Sequence, residues 1–323
     1  MAKVTVITPC YNSTAFIRET VSSVLDQDLQ EWEYILIDDG STDGTYDCLT
    51  ELACADSRIK VVHQTNQGTS CARNLGAKTA SEDSKYLIFL DHDDLLERSA
   101  LRILSDYLDT HTEVCLVGCQ FQEIDASGNF RPSKGRSRWV PSIFGIPRPL
   151  RPSERKTPFV TFYCATGQGP FAMFRRSVFE QTTGWTAEFW PHEDTDMFCQ
   201  MALLGEVHYL SDRLYRKRTH PASGMRDSER LMRSYGAFRA KWDKYEPRNP
   251  REAKLLRDAA QFYRASFRPL RGIKVGTKAM REFMSGGGVA KLSWALRLYR
   301  DAIRDLIRYR LPSFRKKTSG TAH

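Results

Sequence analysis

Four short apolar runs within the first ninety residues, each followed by a helical pattern or a polar loop, constrain this chain more than any other feature. Lys3 to Thr8 is rich in β-branched residues and is cut at Pro9; Tyr34 to Ile37, Ile59 to His63 and Tyr86 to Leu90 are the others. Between them apolar residues recur at helical spacing: Ile17, Val21, Val24 and Leu25, then Tyr46, Leu49, Leu52 and Ala53, then the stretch Ala72 to Ala80. Strands alternating with helices at this spacing specify an α/β fold with a parallel, doubly wound sheet. Such sheets bind ligands beyond the carboxyl ends of their strands. Three of the four runs open there into polar loops, Thr8 to Asn12, Asp38 to Thr45 and Asp91 to Asp94. Their convergence predicts a ligand site at one sheet edge.

The fourth run, Leu87-Ile88-Phe89-Leu90, leads straight into Asp91-His92-Asp93-Asp94. Side chains at i and i+2 of an extended segment share a side, so Asp91 and Asp93 converge while His92 points away. Two carboxylates that close repel unless a cation lies between them, and a hard divalent ion such as Mg2+ or Mn2+ meets that need. The competing reading is an acidic turn that caps a helix beginning near Leu95, with Asp94 as the cap.

Beyond Ser99 to Asp109, a helix, Val114 to Ile124 reads as a strand turned by Ser127-Gly128-Asn129. Arg131 to Lys156 then carries eight Lys/Arg and one acid among several prolines, a long basic loop suited to an anionic ligand or simply to solvent. Pro170 to Phe174 is expected as a strand, Ser177 as the start of a short helix ended by Gly184-Trp185, Glu193-Asp194 as the opening of a helix closed by Gly205, and Val207 to Leu210 as another strand.

A chain of 323 residues makes one large or two modest domains, and here we expect residues 1–225 to form the α/β domain and 226–323 a basic helical region. Charge supports that division: through Asp212 there are 19 Lys+Arg against 30 Asp+Glu, and from Arg213 onward 29 against 9. The segment Val289 to Leu311 forms a basic amphipathic helix, with Leu292, Leu296, Ile303 and Leu306 opposite Arg297, Arg300, Arg304 and Arg308. Its apolar side suits either packing on the domain or an anionic membrane surface. The eight cysteines form no CxxC pair, as expected of reduced core residues in a cytoplasmic protein. No signal-peptide pattern is visible and no apolar segment approaches membrane-spanning length, so the expectation is a cytoplasmic chain, with the inner membrane face open to it as a peripheral site.

In these loops the chain resembles the family 2 glycosyltransferases, inverting enzymes with the nucleotide-sugar-binding GT-A fold. The resemblance rests on an ordered set of motifs over about two-thirds of the chain: Ile7 to Asn12, Ile37 to Thr45, Asn66-Gln67-Gly68 with Ala72-Arg73-Asn74, Asp91 to Asp94 as the DxD motif, and Glu193-Asp194 as the acidic pair. It implies that Tyr11 stacks on the base, that Thr8 and Pro9 shape the base pocket, and that Asp39 accepts the base N–H groups, which favours uridine and hence UDP. Arg73 is then placed near base or diphosphate, Asp91 against ribose or sugar, and Asp93 on the metal, with His220 as a further ligand. Asp194 is the implied general base, with Glu193 orienting it or serving as a first-turn acid. Arg216 and Arg218 are candidates to steady the departing phosphate, and Trp190 and His192 to line an acceptor site. Each assignment has its packing counterpart; only Asp38-Asp39, at a strand end, is hard to explain that way.

The reading is therefore a metal-dependent (Mn2+ or Mg2+) inverting transferase that moves a sugar from a nucleotide-sugar donor to a glycan or lipid-linked saccharide acceptor of a cell-surface polysaccharide. A sugar nucleotidyltransferase is the rival among enzymes, but Thr8 to Asn12 lacks a Gly-rich, Arg- and Lys-bearing triphosphate loop. A nucleic-acid-binding protein with an inert α/β domain is the rival from another class, and the basic region carries no recognition motif for it. The donor sugar, linkage and oligomeric state are not encoded in these motifs.

Overall fold

The computed structural model describes residues 2–131, 172–190 and 193–220, with Ala237 and Lys241. The basic loop beyond Arg131, His192 and, those two residues apart, the basic region from 226 onward lie outside the described residues.

Among the described residues, eight strands form one sheet: β1 (Val4–Cys10), β2 (Trp32–Asp39), β3 (Ile59–Gln64), β4 (Tyr86–Phe89), β5 (Leu95–Leu96), β6 (Val114–Ile124), β7 (Ala172–Arg175) and β8 (Glu206–Arg218). The helices are α1 (Ile17–Leu25), α2 (Thr45–Ala55), α3 (Thr69–Thr79), α4 (Ala100–Thr110), α5 (Arg176–Phe179) and α6 (Glu193–Leu204). Sheet order is β3-β2-β1-β4-β7-β6-β8-β5. The first four strands are parallel, as their spacing predicts. β7 runs antiparallel to both β4 and β6, and β8 returns parallel to β6.

β1 and β2 are buried at every position, which explains why their sequences are near-continuous apolar runs rather than alternating ones. α1 covers the sheet with Ile17, Val21 and Val24, and α4 with Leu101, Leu104 and Leu108, both at the 3–4 spacing of an apolar helix face. α3 lies very close to β1: a Cβ on Gly76 would come within 2.3 Å of Ile7 Cγ2, so only glycine admits that approach. Polar groups within the sheet are paired. Toward the start of β1, Thr5 donates to Glu33, whose carboxylate also accepts from Ser81 and Lys60.

One expectation fails here. Leu95 does not begin a helix; Leu95-Leu96 pairs antiparallel with Tyr215 and Arg216 of β8, and the helix starts at Ala100. Asp94 therefore caps no helix. It is 3% exposed and accepts the backbone N–H of Arg218 at 2.6 Å. Local propensity lost to an edge pairing with a strand more than a hundred residues away. The expected strand at Val207 to Leu210 is also the start of a much longer one. All seven described cysteines are free thiols.

Candidate active site

The three loops at the carboxyl ends of β1, β2 and β3 are stitched together by side chains. Asn12, held at a positive φ of 51°, accepts the Thr42 N–H at 2.9 Å, and its own N–H donates to Ser41 Oγ. Asp39 accepts from Gln64 Nε2 (2.6 Å), the Gln67 N–H (2.8 Å) and the Gly68 N–H (2.8 Å), fixing the loop that leads into α3. Asp38, wholly buried, accepts the Ser41 N–H and lies 2.7 Å from His63 Nδ1. Both members of the aspartate pair thus have structural partners, which the sequence alone did not suggest. A carboxylate offers about four acceptor positions, so Asp39 keeps one beyond the three in use.

Of the predicted base-pocket residues, Thr8 and Pro9 are buried, with the Thr8 hydroxyl bonded to that of Tyr34. Tyr11 is 47% exposed, leaving its ring available to a ligand.

Four more of the predicted residues meet in a second cluster. Arg73, in the middle of α3 and 3% exposed, donates through Nη2 to Asp91 at 2.7 Å and through Nη1 to Glu193 (3.3 Å) and Asp194 (3.4 Å). Its guanidinium lies 4.7 Å from the centre of the Trp185 ring. Both terminal nitrogens are turned onto the protein's own carboxylates. Trp185 in turn packs edge-on against Phe89 and Phe174, an apolar floor that fixes where the arginine can sit.

Burial and neighbouring charges set this group's electrostatics. Burial raises Asp91, but the Arg73 cation more than offsets it and holds the carboxyl below its ordinary range. Partial burial pushes Asp194 up to about 6 against the pull of Arg73, and Glu193, buried and beside the Asp194 charge, is pushed up to about 8. Asp94 is raised well above the ordinary value, first by burial and then by Asp93 and Asp91. Lys217 of β8 is close enough to lower both Asp91 and Asp194.

Asp93 and His220, the two predicted metal ligands, are adjacent, with Asp93 Oδ2 2.8 Å from His220 Nε2, and the His220 ring rests on Phe16. One carboxylate and one imidazole suit Mn2+ or Mg2+ when substrate oxygens and water complete the shell. Among the described residues no three His, Cys, Asp or Glu side chains gather into a complete protein cage. The expectation that Arg216 and Arg218 face the phosphate is not met. Arg216 forks onto Glu97 at 2.6 and 2.7 Å, and Arg218 is buried, donating to the Asp93 carbonyl and to Glu19.

Sequence reasoning gave no role to Asn74, Trp185, Asp196 or Lys217. Asn74 grips the Trp185 backbone on both sides, accepting its N–H and donating to its carbonyl at 2.8 Å, which gives the Ala72-Arg73-Asn74 stretch a mechanical function. Asp196, wholly buried, is bonded by Thr186, Gln200 and Lys241. The alternation of β8, with Arg216 and Arg218 on one side and Lys217 on the other, was the signal available for Lys217. Trp190 is half-buried next to the acidic helix.

An α/β sheet with stitched loops beyond β1, β2 and β3 and a cluster of carboxylates around Arg73 is the GT-A arrangement of glycosyltransferases. A crystal structure of Staphylococcus aureus TarS in complex with UDP-GlcNAc is similar, with a TM-score of 0.68 and 20% identity over 94% of this chain and 81% of that one. The mannosyltransferase PcManGT from Pyrobaculum calidifontis, solved with GDP-Man and Mn2+, gives 0.60 and 21% identity over 94% and 82%. Residues 5–183 match the model of glycosyl transferase family 2, and the chain belongs to that family. Relatives in sequence include Bacillus subtilis EpsJ, an uncharacterized glycosyltransferase, 35% identical over 47% of this chain and 41% of its own. TuaG of the same organism, named as a candidate teichuronic acid biosynthesis glycosyltransferase, is 46% identical over 30% and 38%. The chain thus spans about two-fifths of the length of these relatives. No helix among the described residues is long and apolar enough to cross a membrane.

Proposed function

We propose that this protein transfers a sugar, with inversion, from a UDP-linked donor to a glycan or lipid-linked saccharide acceptor of a cell-surface polysaccharide. The observation that carries the reading is the charge cluster at Arg73: Asp91, read as the donor-side carboxylate, and the Glu193/Asp194 pair come from segments about a hundred residues apart and meet around one buried cation. The UDP-GlcNAc held by one structural relative and the teichuronic acid assignment of a sequence relative support the donor and acceptor classes.

In this reading Tyr11 stacks on the base and the remaining acceptor position of Asp39 takes the imide N–H of uracil. Asp91 faces the ribose or sugar. Asp93 and His220 hold a divalent cation, which supplies neutralisation of the diphosphate charge when bound, as the Mn2+ of the second relative suggests. Asp194 takes the proton of the acceptor hydroxyl as that oxygen attacks the anomeric carbon and the bond to UDP breaks, with no covalent enzyme intermediate. Glu193 orients it. The basic region from 226 onward gives an anionic carrier, or the inner membrane face that bears it, a surface to approach.

A panel of UDP- and GDP-sugars, assayed for Mn2+-dependent binding by calorimetry and for nucleoside diphosphate release, tests the reading. Asp93→Ala is expected to lose metal-dependent UDP binding. Asp194→Asn is expected to keep UDP binding and lose transfer by about a thousandfold or more, within the range of general base catalysis. An Asp194→Asn protein that transfers at the wild-type rate removes it as the base, and a panel with no binding at any nucleotide removes the reading.

A further inference from the structure

The described partners of the Arg73 guanidinium are carboxylates of the protein itself. Nη1 and Nη2 are both engaged by carboxylates of the protein, and Nε is buried without a hydrogen-bond partner among the described residues. Trp185 packs on the guanidinium, and Asn74, next in the helix, clamps the Trp185 backbone. Glu193 Oε2 is likewise buried with no hydrogen-bond partner among the described residues, and the acidic pair meets the arginine through one oxygen each.

We propose that Arg73 is a positioning residue for sugar transfer, a buried strut that ties the donor-side carboxylate Asp91 to the Glu193/Asp194 pair and holds Asp194 aimed at the acceptor. The inference rests on the reading of Asp194 as the base. Three carboxylates drawn to one spot repel, and the shared guanidinium is what allows them to stand together with Asp194 ionised. The groups facing Asp194 are Arg73 from α3, Asp91 from the loop after β4, Glu193 from α6 itself and Lys217 from β8; Asp196, two residues on, is paired with Lys241. Glu193 is buried beside the Asp194 charge, and its Oε2 has no hydrogen-bond partner among the described residues, so Glu193 is the member of the pair that carries the proton near neutrality, which leaves Asp194 as the acceptor. The strut also makes the two halves of the reaction interdependent, since a shift of Asp91 on donor binding is felt at Asp194 through a single rigid fork.

The test compares Arg73→Met and Arg73→Lys with Asp194→Asn in the full chain. It measures UDP and Mn2+ binding by calorimetry, and kcat against pH using UDP-N-acetylglucosamine or the panel member of highest turnover. Without the cation the acid limb of kcat in Arg73→Met moves to higher pH by about one unit or more, so that about tenfold of the loss at pH 6 is recovered by pH 8.5. UDP affinity stays within about threefold of wild type, a separation that a general folding defect would not give. Arg73→Lys keeps the charge but not the fork, so its limb stays near the wild-type position while kcat falls by about tenfold. If Arg73→Met does not fold, Arg73→Lys decides: loss of UDP binding with unchanged kcat at saturation makes Arg73 a donor ligand and overturns the proposal. An unmoved acid limb in Arg73→Met with an inactive Asp194→Asn also overturns it. A fully active Asp194→Asn instead overturns the base assignment on which it stands.

Discussion

Replacing Arg218 by methionine removes a cation that holds three segments to the Asp93 loop. In the wild-type protein its guanidinium is wholly buried; Nε donates to the Asp93 carbonyl at 2.8 Å, Nη1 to the Ala126 carbonyl at 3.1 Å and Nη2 to Glu19 at 2.7 Å, with the Phe16 ring 4.8 Å away. Replacement of a whole buried ion pair by apolar residues is often neutral, because both desolvation costs vanish together. That compensation is absent here, since the backbone carbonyls of Asp93 and Ala126 stay behind without their charged donor, at about 1.5–3 kcal/mol each. The Glu19 bond adds little, about 0–1 kcal/mol, because that carboxylate is 54% exposed. Methionine fills most of the volume, so the net expectation is a loss of about 3–5 kcal/mol. For a domain of this size that corresponds to a fall in Tm of about 10 °C. The assay is urea denaturation followed by tryptophan fluorescence, paired with calorimetry of UDP and Mn2+, where affinity falls by about tenfold because the Asp93 backbone is released. A stability within about 1 kcal/mol of wild type would refute the reasoning.

Two glycines give sharper steric tests. Gly76→Ala puts a methyl 2.3 Å from Ile7 Cγ2, and separation of α3 from β1 is expected to cost about 1–3 kcal/mol in denaturant unfolding, although alanine is the better helix former. Gly184→Ala combines a φ of +75° with a Cβ 2.7 Å from Asn74 Oδ1; it is expected to destabilise by a similar amount and, by loosening the Trp185 clamp, to lower kcat while UDP binding stays intact. Glu33 provides a pH test. Burial alone would raise its pKa, but bonds from Lys60, Ser81 and Thr5 carry it below the ordinary 4.5. Because the folded-state value is the depressed one, the carboxylate stabilises the fold above pH 4.5 and loses that contribution as pH falls through the folded value. The stability difference between wild type and Glu33→Gln, measured by chemical denaturation, should therefore shrink steadily below about pH 4.5, and a difference that grows on acidification would contradict the assignment.

How much was legible beforehand varied with the range of the interaction. The four parallel strands, the helices between them and the strand at Val114 were readable because a β-branched run or a 3–4 apolar spacing is a local property of the chain. The placement of polar loops at one edge followed from the parallel topology alone. Asp93 and His220 were grouped from the resemblance and lie side by side, whereas Asp91, read as a donor-side residue, and the Glu193/Asp194 pair were read separately, and only the fold brings them together around Arg73. Leu95-Leu96 was misread because two residues carry too little pattern to distinguish a helix start from an edge strand. Arg216 and Arg218 were misjudged because a basic run looks alike whether it faces phosphate, Glu97 or a buried carbonyl.

The sequence by itself therefore determined the alternating architecture, the edge at which the polar loops gather and the identities of the charged groups there. Only the tertiary structure decided how those charges are paired. Arg73 and Glu193 are 120 residues apart, and Arg218 and Glu19 are 199. Local periodicity dictates which face a side chain occupies, but a salt bridge depends on distances of a few ångströms that are fixed when the sheet, α3 and α6 pack together. For that reason the resemblance places Arg73 near the base or diphosphate, whereas the fold sets it between three carboxylates.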